Sequence, residues 1–195
     1  MSLVVVGSMA FDAIETPFGK SDKIIGGAAT YIAWSASNFT QPIKQLSVVG
    51  GDFPKEELQM LEARGVVTEG VEIKENEKSF FWSGRYHLDM NTRDTLDTQL
   101  NVLANFNPVV PDSYQDCEFL MLGNLVPAVQ NSVIDQMKNK PKLVVLDTMN
   151  FWMEIAMDDL KQTLAMVDLL MVNDSEAREL SGEYSLVKAA AKIMQ

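Results

Sequence analysis

Apolar residues in this chain fall in short runs that end on glycine or a polar side chain, and between the runs the spacing changes to that of helices. Leu3, Val4, Val5 and Val6 run into Gly7, and Leu46, Ser47, Val48 and Val49 run into Gly50, Gly51 and Asp52. Three later runs behave alike: 118–124 closes on Gly123 and Asn124, 142–147 on Asp147, and 169–173 on Asn173. Short, uninterrupted apolar runs are how strands covered on both faces of a parallel sheet read. Helical segments alternate with them. Small and apolar residues follow Gly26-Gly27 as far as Ala36. Pro54 opens a second helix where its missing N–H does no harm, Glu56 and Glu57 suit its positive end, Leu58 and Leu61 give it an apolar face, and Gly65 stops it. Further helices are expected near 128–139, 157–167 and 186–194, and another capped by Asp174 or Ser175 that ends near Gly182. Strand–helix alternation of this kind predicts an α/β fold: a mostly parallel sheet with helices on both faces.

From 66 to about 102 the texture changes. Val66-Val67, Val71-Glu72-Ile73, Phe80-Phe81-Trp82 and Tyr86-His87-Leu88 are strand-like pieces without helical period, and Lys74-Glu75-Asn76-Glu77-Lys78 resembles a charged hairpin tip. We read a small antiparallel β excursion over about 66–102, of the kind that acts as a lid. Arg85, Asn91 and Arg93 are its candidate ligand contacts. The polar stretch 15–23, with Pro17 and Gly19, reads as a connection delivering the chain to Gly26-Gly27.

Candidate chemistry collects at the ends of the apolar runs. A parallel sheet gathers its strand ends along one edge, and ligands of open α/β sheets bind there. Asp12, Asp52, Asn124, Asp147 and Asn173 all occupy such positions. The Gly26-Gly27 pair permits close approach of a ligand to the main chain, and the helix after it directs free N–H groups back toward the glycines. After Gly7 no second glycine stands at G-x-G spacing, so a dinucleotide fingerprint is absent.

Composition narrows the classes further. The chain has 195 residues, 47% hydrophobic and 22% charged, with a formal net charge of −11, which argues against a general nucleic-acid binder. No stretch approaches the apolar length of a membrane span, and residues 1–7 lack a basic leader. The single cysteine, Cys117, excludes an internal disulfide framework and fits a reducing cytoplasm. It reads as a small buried residue.

Taken together, several stretches resemble the ribokinase family, the PfkB-type carbohydrate and nucleoside kinases. Val6-Gly7-Ser8 through Asp12 resembles the family's first strand, and Gly26-Gly27-Ala28-Ala29-Thr30-Tyr31-Ile32-Ala33 its first signature. Val48-Val49-Gly50-Gly51-Asp52, followed by Arg64-Gly65-Val66, resembles a second block, and 168–182 resembles its N-x-x-E segment. The resemblance implies a ribokinase-like fold, transfer of the γ-phosphoryl group of ATP to a hydroxymethyl group of a sugar or nucleoside, and a cytoplasmic protein. It implies that Asp12 and the main chain at Gly26 and Gly27 hold sugar hydroxyls, with Tyr31 and Asn124 also on the substrate side. Asp147, Asn150 and Asn173 would face the phosphates, and Glu176 would act at Mg²⁺, through water. Tyr31 stands where the signature usually carries asparagine, so ribose-like recognition does not follow from it. The family's catalytic base and anion hole, in a G-A-G-D segment, and most of its adenine pocket lie in a C-terminal portion that nothing in this chain matches. We therefore expect the N-terminal portion of a kinase, with one sheet edge completed by further residues, by a second copy in a homodimer, or by a complementing chain. The rival reading is a non-catalytic sugar- or nucleoside-binding or regulatory protein of the same fold.

Overall fold

A computed structural model describes residues 2–195. Along the chain the elements are β1 (Leu3–Val6), β2 (Ala10–Thr16), β3 (Gly19–Gly26), α1 (Ala28–Ala36), β4 (Ile43–Gly50), α2 (Lys55–Ala63), β5 (Val66–Lys74), β6 (Phe80–Tyr86) and β7 (Arg93–Gln99). A 3-10 turn (Asn101–Asn105) then leads to β8 (Phe119–Leu122), α3 (Pro127–Asp135), β9 (Leu143–Asp147), α4 (Asn150–Ile155), α5 (Met157–Leu164), β10 (Leu169–Met171), α6 (Asp174–Ser181) and α7 (Leu186–Ile193).

Six strands make the main sheet in the order β10-β9-β8-β1-β4-β5, every neighbouring pair parallel. The central strand shows why its sequence is apolar throughout. Val4 and Val6 pack into the cluster beneath α3, α4 and α5, while Val5 joins Met9, Ala29, Ala33 and Leu61 on the opposite face under α1 and α2. Both faces are thus buried, as the β-branched run requires. Strand order reverses beside β1: β4 and β5 extend to one side, then the chain returns to place β8, β9 and β10 on the other. That reversal opens a crevice at the carboxyl ends of β1 and β8.

The small sheet has the order β3-β2-β6-β7. It differs from the expected excursion over 66–102 in two respects. Residues 66–74 form β5, an edge strand of the main sheet, and residues 10–26 supply half of the small sheet as the β2–β3 hairpin. The reason is physical. Edge and lid strands face water, so 15–23 and 66–74 carry polar residues and lose the apolar signature of a covered strand. The charged turn 74–78 accordingly links two sheets rather than closing a hairpin. The small sheet is also mixed, because β2 runs parallel to β6.

The expected helices form, with three main differences: α3 ends at Asp135 rather than near 139, α4 over Asn150–Ile155 is additional to the expected helices, and the cap of α6 is Asn173 rather than Asp174 or Ser175. Asn173 is extended, its Oδ1 accepts the Glu176 N–H at 3.0 Å, and the Glu176 carboxylate accepts the Asn173 N–H at 2.9 Å. Such a reciprocal capping box satisfies two otherwise orphaned amides. The last strand, β10, has β9 as its sheet neighbour and leaves Leu169 and Met171 exposed, as α7 leaves Val187 and Met194.

Candidate active site

The first half of the site is built where β1 turns into β2. Gly27, at φ 94, occupies the left-handed region that favours glycine. A Cβ there would lie 2.3 Å from the Ser8 carbonyl oxygen. The closeness is used: the Ser8 carbonyl accepts the Ala29 N–H at 3.0 Å and its hydroxyl accepts the Ala28 N–H at 3.2 Å. Ser8, unremarked in the sequence, therefore fixes the start of α1 over the end of β1.

Gly26 serves a different purpose. Asp12 lies across the β2–β3 ladder, and a Cβ at Gly26 would sit 2.2 Å from Asp12 Oδ2. Glycine is required there because a carboxylate occupies the space. No donor among the described residues holds that carboxylate, and desolvation raises its pKa from 3.8 to about 6. Trp82 on β6 is in register with Asp12 and is half-buried beside it. Its indole lies over Gly84 and donates to the Thr95 hydroxyl at 3.3 Å, an orientation that nothing in the Phe80-Phe81-Trp82 run signals.

The second half lies along the carboxyl ends of β8, β9 and β10. A Cβ at Gly123 would meet the Val6 carbonyl oxygen at 2.9 Å and Ala28 Cβ at 3.2 Å, so this glycine lets β8 end against β1 and α1. Gln130 of α3, fully buried, donates to the Gly123 carbonyl at 2.9 Å and the Asp147 carbonyl at 3.3 Å, tying two strand ends together. Asp147 is half-buried, and its pKa is raised to about 6 by desolvation first and then by the charge of Glu176, with main-chain N–H groups of Asn124 and Thr148 opposing the shift. The Thr148 hydroxyl beside it is buried without a partner among the described residues.

Not every expected residue faces the crevice. Asn124 accepts the Trp152 indole N–H at 2.7 Å and donates to Met149 Sδ at 3.0 Å, so its amide holds the segment entering α4. Asn150 donates to the Glu179 carboxylate. Tyr31 donates to the Ile25 carbonyl at 2.9 Å, and its ring walls a slot between α1 and α2 with Trp34 and Met60. Asp52 stands at the end of β4, on the far side of the strand-order reversal. It accepts the Ser79 N–H at 2.7 Å and hydroxyl at 2.8 Å, clamping the crossover into β6, and these bonds with nearby Lys23 outweigh a desolvation cost to hold its pKa down. Asp12, Gly26 and Gly27 gather above β1, while Asp147, Asn173 and Glu176 form a second group over β9 and β10.

A parallel sheet with a small sheet rising from its first strand, and carboxylates at the adjoining strand ends, defines a ribokinase-like α/β protein. The pattern of the pfkB family of carbohydrate kinases matches residues 1–195; the chain belongs to that family. It is 27% identical over 198 residues to a cytidine kinase of Thermococcus kodakarensis, covering 100% of this chain and 69% of that protein. Among solved structures it is similar to the Methanocaldococcus jannaschii nucleoside kinase, an archaeal member of the ribokinase family, with a TM-score of 0.73 at 17% identity over 98% of this chain and 67% of that one. It is also similar to the Burkholderia thailandensis nucleoside kinase solved in complex with ADP and inosine, with a TM-score of 0.74 at 15% identity, covering 97% of this chain and 66% of that one. The chain thus spans about two thirds of the length of these relatives.

Proposed function

We propose that the chain is the acceptor-binding and metal-proximal portion of an ATP-dependent kinase that phosphorylates a hydroxymethyl group on a nucleoside or sugar. The observation that carries this reading is Asp12: a half-buried carboxylate, set against a glycine whose missing Cβ makes room for it, with no donor of its own. A polyhydroxylated ligand supplies the donors such a group lacks, and charge-assisted hydrogen bonds of this sort are the strong ones. Trp82 offers a ring beside them, on which a sugar or base can pack. A nucleoside is the favoured acceptor, because the sequence relative is a cytidine kinase and the ADP–inosine complex belongs to a protein of the same fold.

The second group of residues fits Mg²⁺ with ATP. Burial, and then the charge of Glu176, raise the pKa of Asp147, and a nearby cation would oppose that rise. Among the described residues no cluster of three or more His, Cys, Asp or Glu could hold a metal. Two carboxylates suit Mg²⁺ all the same, since it keeps much of its water and takes its remaining ligands from phosphate oxygens. Bound there, the ion would neutralise charge on the phosphates during transfer. Glu176 acts from a fixed position, because the capping box with Asn173 holds its carboxylate in place.

Calorimetric titration with cytidine, inosine, adenosine and ribose, alongside an ADP-release assay with Mg-ATP, tests the reading. At least one nucleoside should bind, and Asp12→Asn should weaken it by roughly 10- to 100-fold, the equivalent of about 1.5–3 kcal/mol. Affinity should rise with pH through about 6, where Asp12 becomes ionised and accepts better. An acceptor that binds equally well to Asp12→Asn would remove Asp12, and with it the proposal.

A further inference from the structure

The slot that Tyr31, Trp34 and Met60 wall between α1 and α2 also has the buried Phe53 ring in its wall, and Ile25 lines it from β3. Successive side chains of a strand point to opposite faces, and Gly26, the next residue, is the one set against Asp12. The slot therefore lies on the side of β3 that faces away from Asp12. Its walls are fixed before any ligand arrives. The Tyr31 hydroxyl is bonded to the Ile25 carbonyl, Arg64 lies 4.4 Å from the centre of the Trp34 ring, and Phe53 packs on Phe11 with ring centres 5.6 Å apart. Walls already held in this way lose little freedom on binding.

Two polar groups of the slot lack partners. Thr30 is only 7% exposed, and its hydroxyl has no hydrogen-bond partner among the described residues. A helical threonine can bond a carbonyl three or four residues back, so a buried hydroxyl that bonds none carries an uncompensated desolvation cost. Glu57 on α2 is half-buried, and its carboxylate makes no ion pair or hydrogen bond among the described residues. Lys23 and Arg64 are committed elsewhere: Lys23 lies over the Phe11 ring and 3.8 Å from Asp52, and Arg64 is held by Trp34, Ser37 and Asn38. Aromatic walls beside a carboxylate are the surroundings that recognise an organic cation. We propose that the slot binds a small primary ammonium carried on a single ring or short apolar chain, whose N–H groups supply the donors that Glu57 and Thr30 lack. Size sets the limit. The slot holds about 180 Å³, close to the engineered cavity of about 150 Å³ that takes benzene and short of the roughly 300 Å³ at which drug-sized sites begin. One ring fits and a nucleoside does not. The site stands on α1, α2 and β3 and is independent of the kinase reading.

Calorimetric titration of the wild-type chain, Glu57→Gln and Thr30→Val with benzylamine, benzyl alcohol and benzoate near neutral pH, with amide shifts followed by NMR, decides the matter. Benzylamine, which is protonated there, should bind the wild type and shift the amides of Thr30, Trp34 and Glu57. Glu57→Gln should weaken it by roughly 10-fold or more, as loss of a charge-assisted bond does, and added salt should weaken it as well. Benzyl alcohol has the same ring without the charge and should bind more weakly, and benzoate, repelled by Glu57, should not bind. Thr30→Val should weaken benzylamine by roughly 3- to 10-fold while its melting temperature stays at or above the wild-type value, because the variant removes a buried hydroxyl that had no partner. A purely structural role for Thr30 predicts the reverse, a lower melting temperature with affinity unchanged, and that result overturns the site. So does benzylamine that leaves the slot amides unshifted, binds Glu57→Gln as tightly as wild type, or is matched in affinity by benzyl alcohol or benzoate. Asp12→Asn should bind benzylamine as wild type does, so failure of the nucleoside reading shows separately.

Discussion

Replacing Asp147 by asparagine keeps the shape of the side chain and removes its charge, so it isolates what ionisation does at the end of β9. A carboxyl whose pKa rises from 3.8 to about 6 is one whose charged form the fold disfavours, first by burial and then by Glu176. At about 1.4 kcal/mol per tenfold change in ionisation, that amounts to roughly 3 kcal/mol against the folded state at neutral pH. The group is only half-buried, and solvent screening reduces the figure to about 1–2 kcal/mol. The sign follows from linkage. The folded pKa lies above the unfolded one, so the wild-type contribution is fully present below about pH 4 and is lost as pH rises through about 6. Asp147→Asn should therefore be more stable than wild type at pH 7.5, by about 1–2 kcal/mol in urea denaturation or about 3–6 °C in melting temperature. The two proteins should converge near pH 4. The same variant should lose Mg²⁺-dependent ATP binding, so stability and ligand binding move in opposite directions. A variant less stable than wild type at pH 7.5, or a difference of the same size at both pH values, would refute the reasoning.

Three further perturbations address the supports of the site. Gly26→Ala places a Cβ 2.2 Å from Asp12 Oδ2, so the carboxylate must swing aside; we expect a loss of about 1–3 kcal/mol in stability and acceptor affinity as low as in Asp12→Asn, and unchanged calorimetric affinity would count against the pairing of these residues. Asn173→Ala breaks the capping box of α6 and should cost about 1 kcal/mol, with Asn173→Asp restoring most of it; equal denaturation midpoints for all three would show that the cap contributes nothing. Gln130→Leu leaves the Gly123 and Asp147 carbonyls without their donor and should cost about 1–3 kcal/mol, with faster amide exchange at the ends of β8 and β9; exchange identical to wild type would show that the amide is dispensable.

Of the chemistry at the site, Asp12, Gly26 and Gly27 were legible because each is marked locally: an acidic residue just past the first strand, and paired glycines before a helix. Ser8 and Gln130 were not. Serine in a loop and glutamine on a helix carry no signal of their own, and their roles come from main-chain atoms 20 and 7 residues away. Asn124 and Asp52 mark the opposite limit. Both sit at strand ends as anticipated, yet Trp152 and Met149 engage the one, and Ser79 the other.

What the sequence by itself determined is the parallel core. Strands buried on both faces must be apolar along their whole length, and helices that cap or stop do so within a few residues, so those elements declare themselves locally. Tertiary structure alone decided which strands belong to which sheet. Residues 15–23 and 66–74 face water on at least one side, and their polar sequences are compatible with strand or loop until partners are present. It also decided that Glu176, which the family resemblance assigns to the metal side, is held by its own helix start. Burial, pairing and the loss of solvent around a charge arise between segments distant in the chain, and those are the quantities that set the pKa of Asp12 and Asp147.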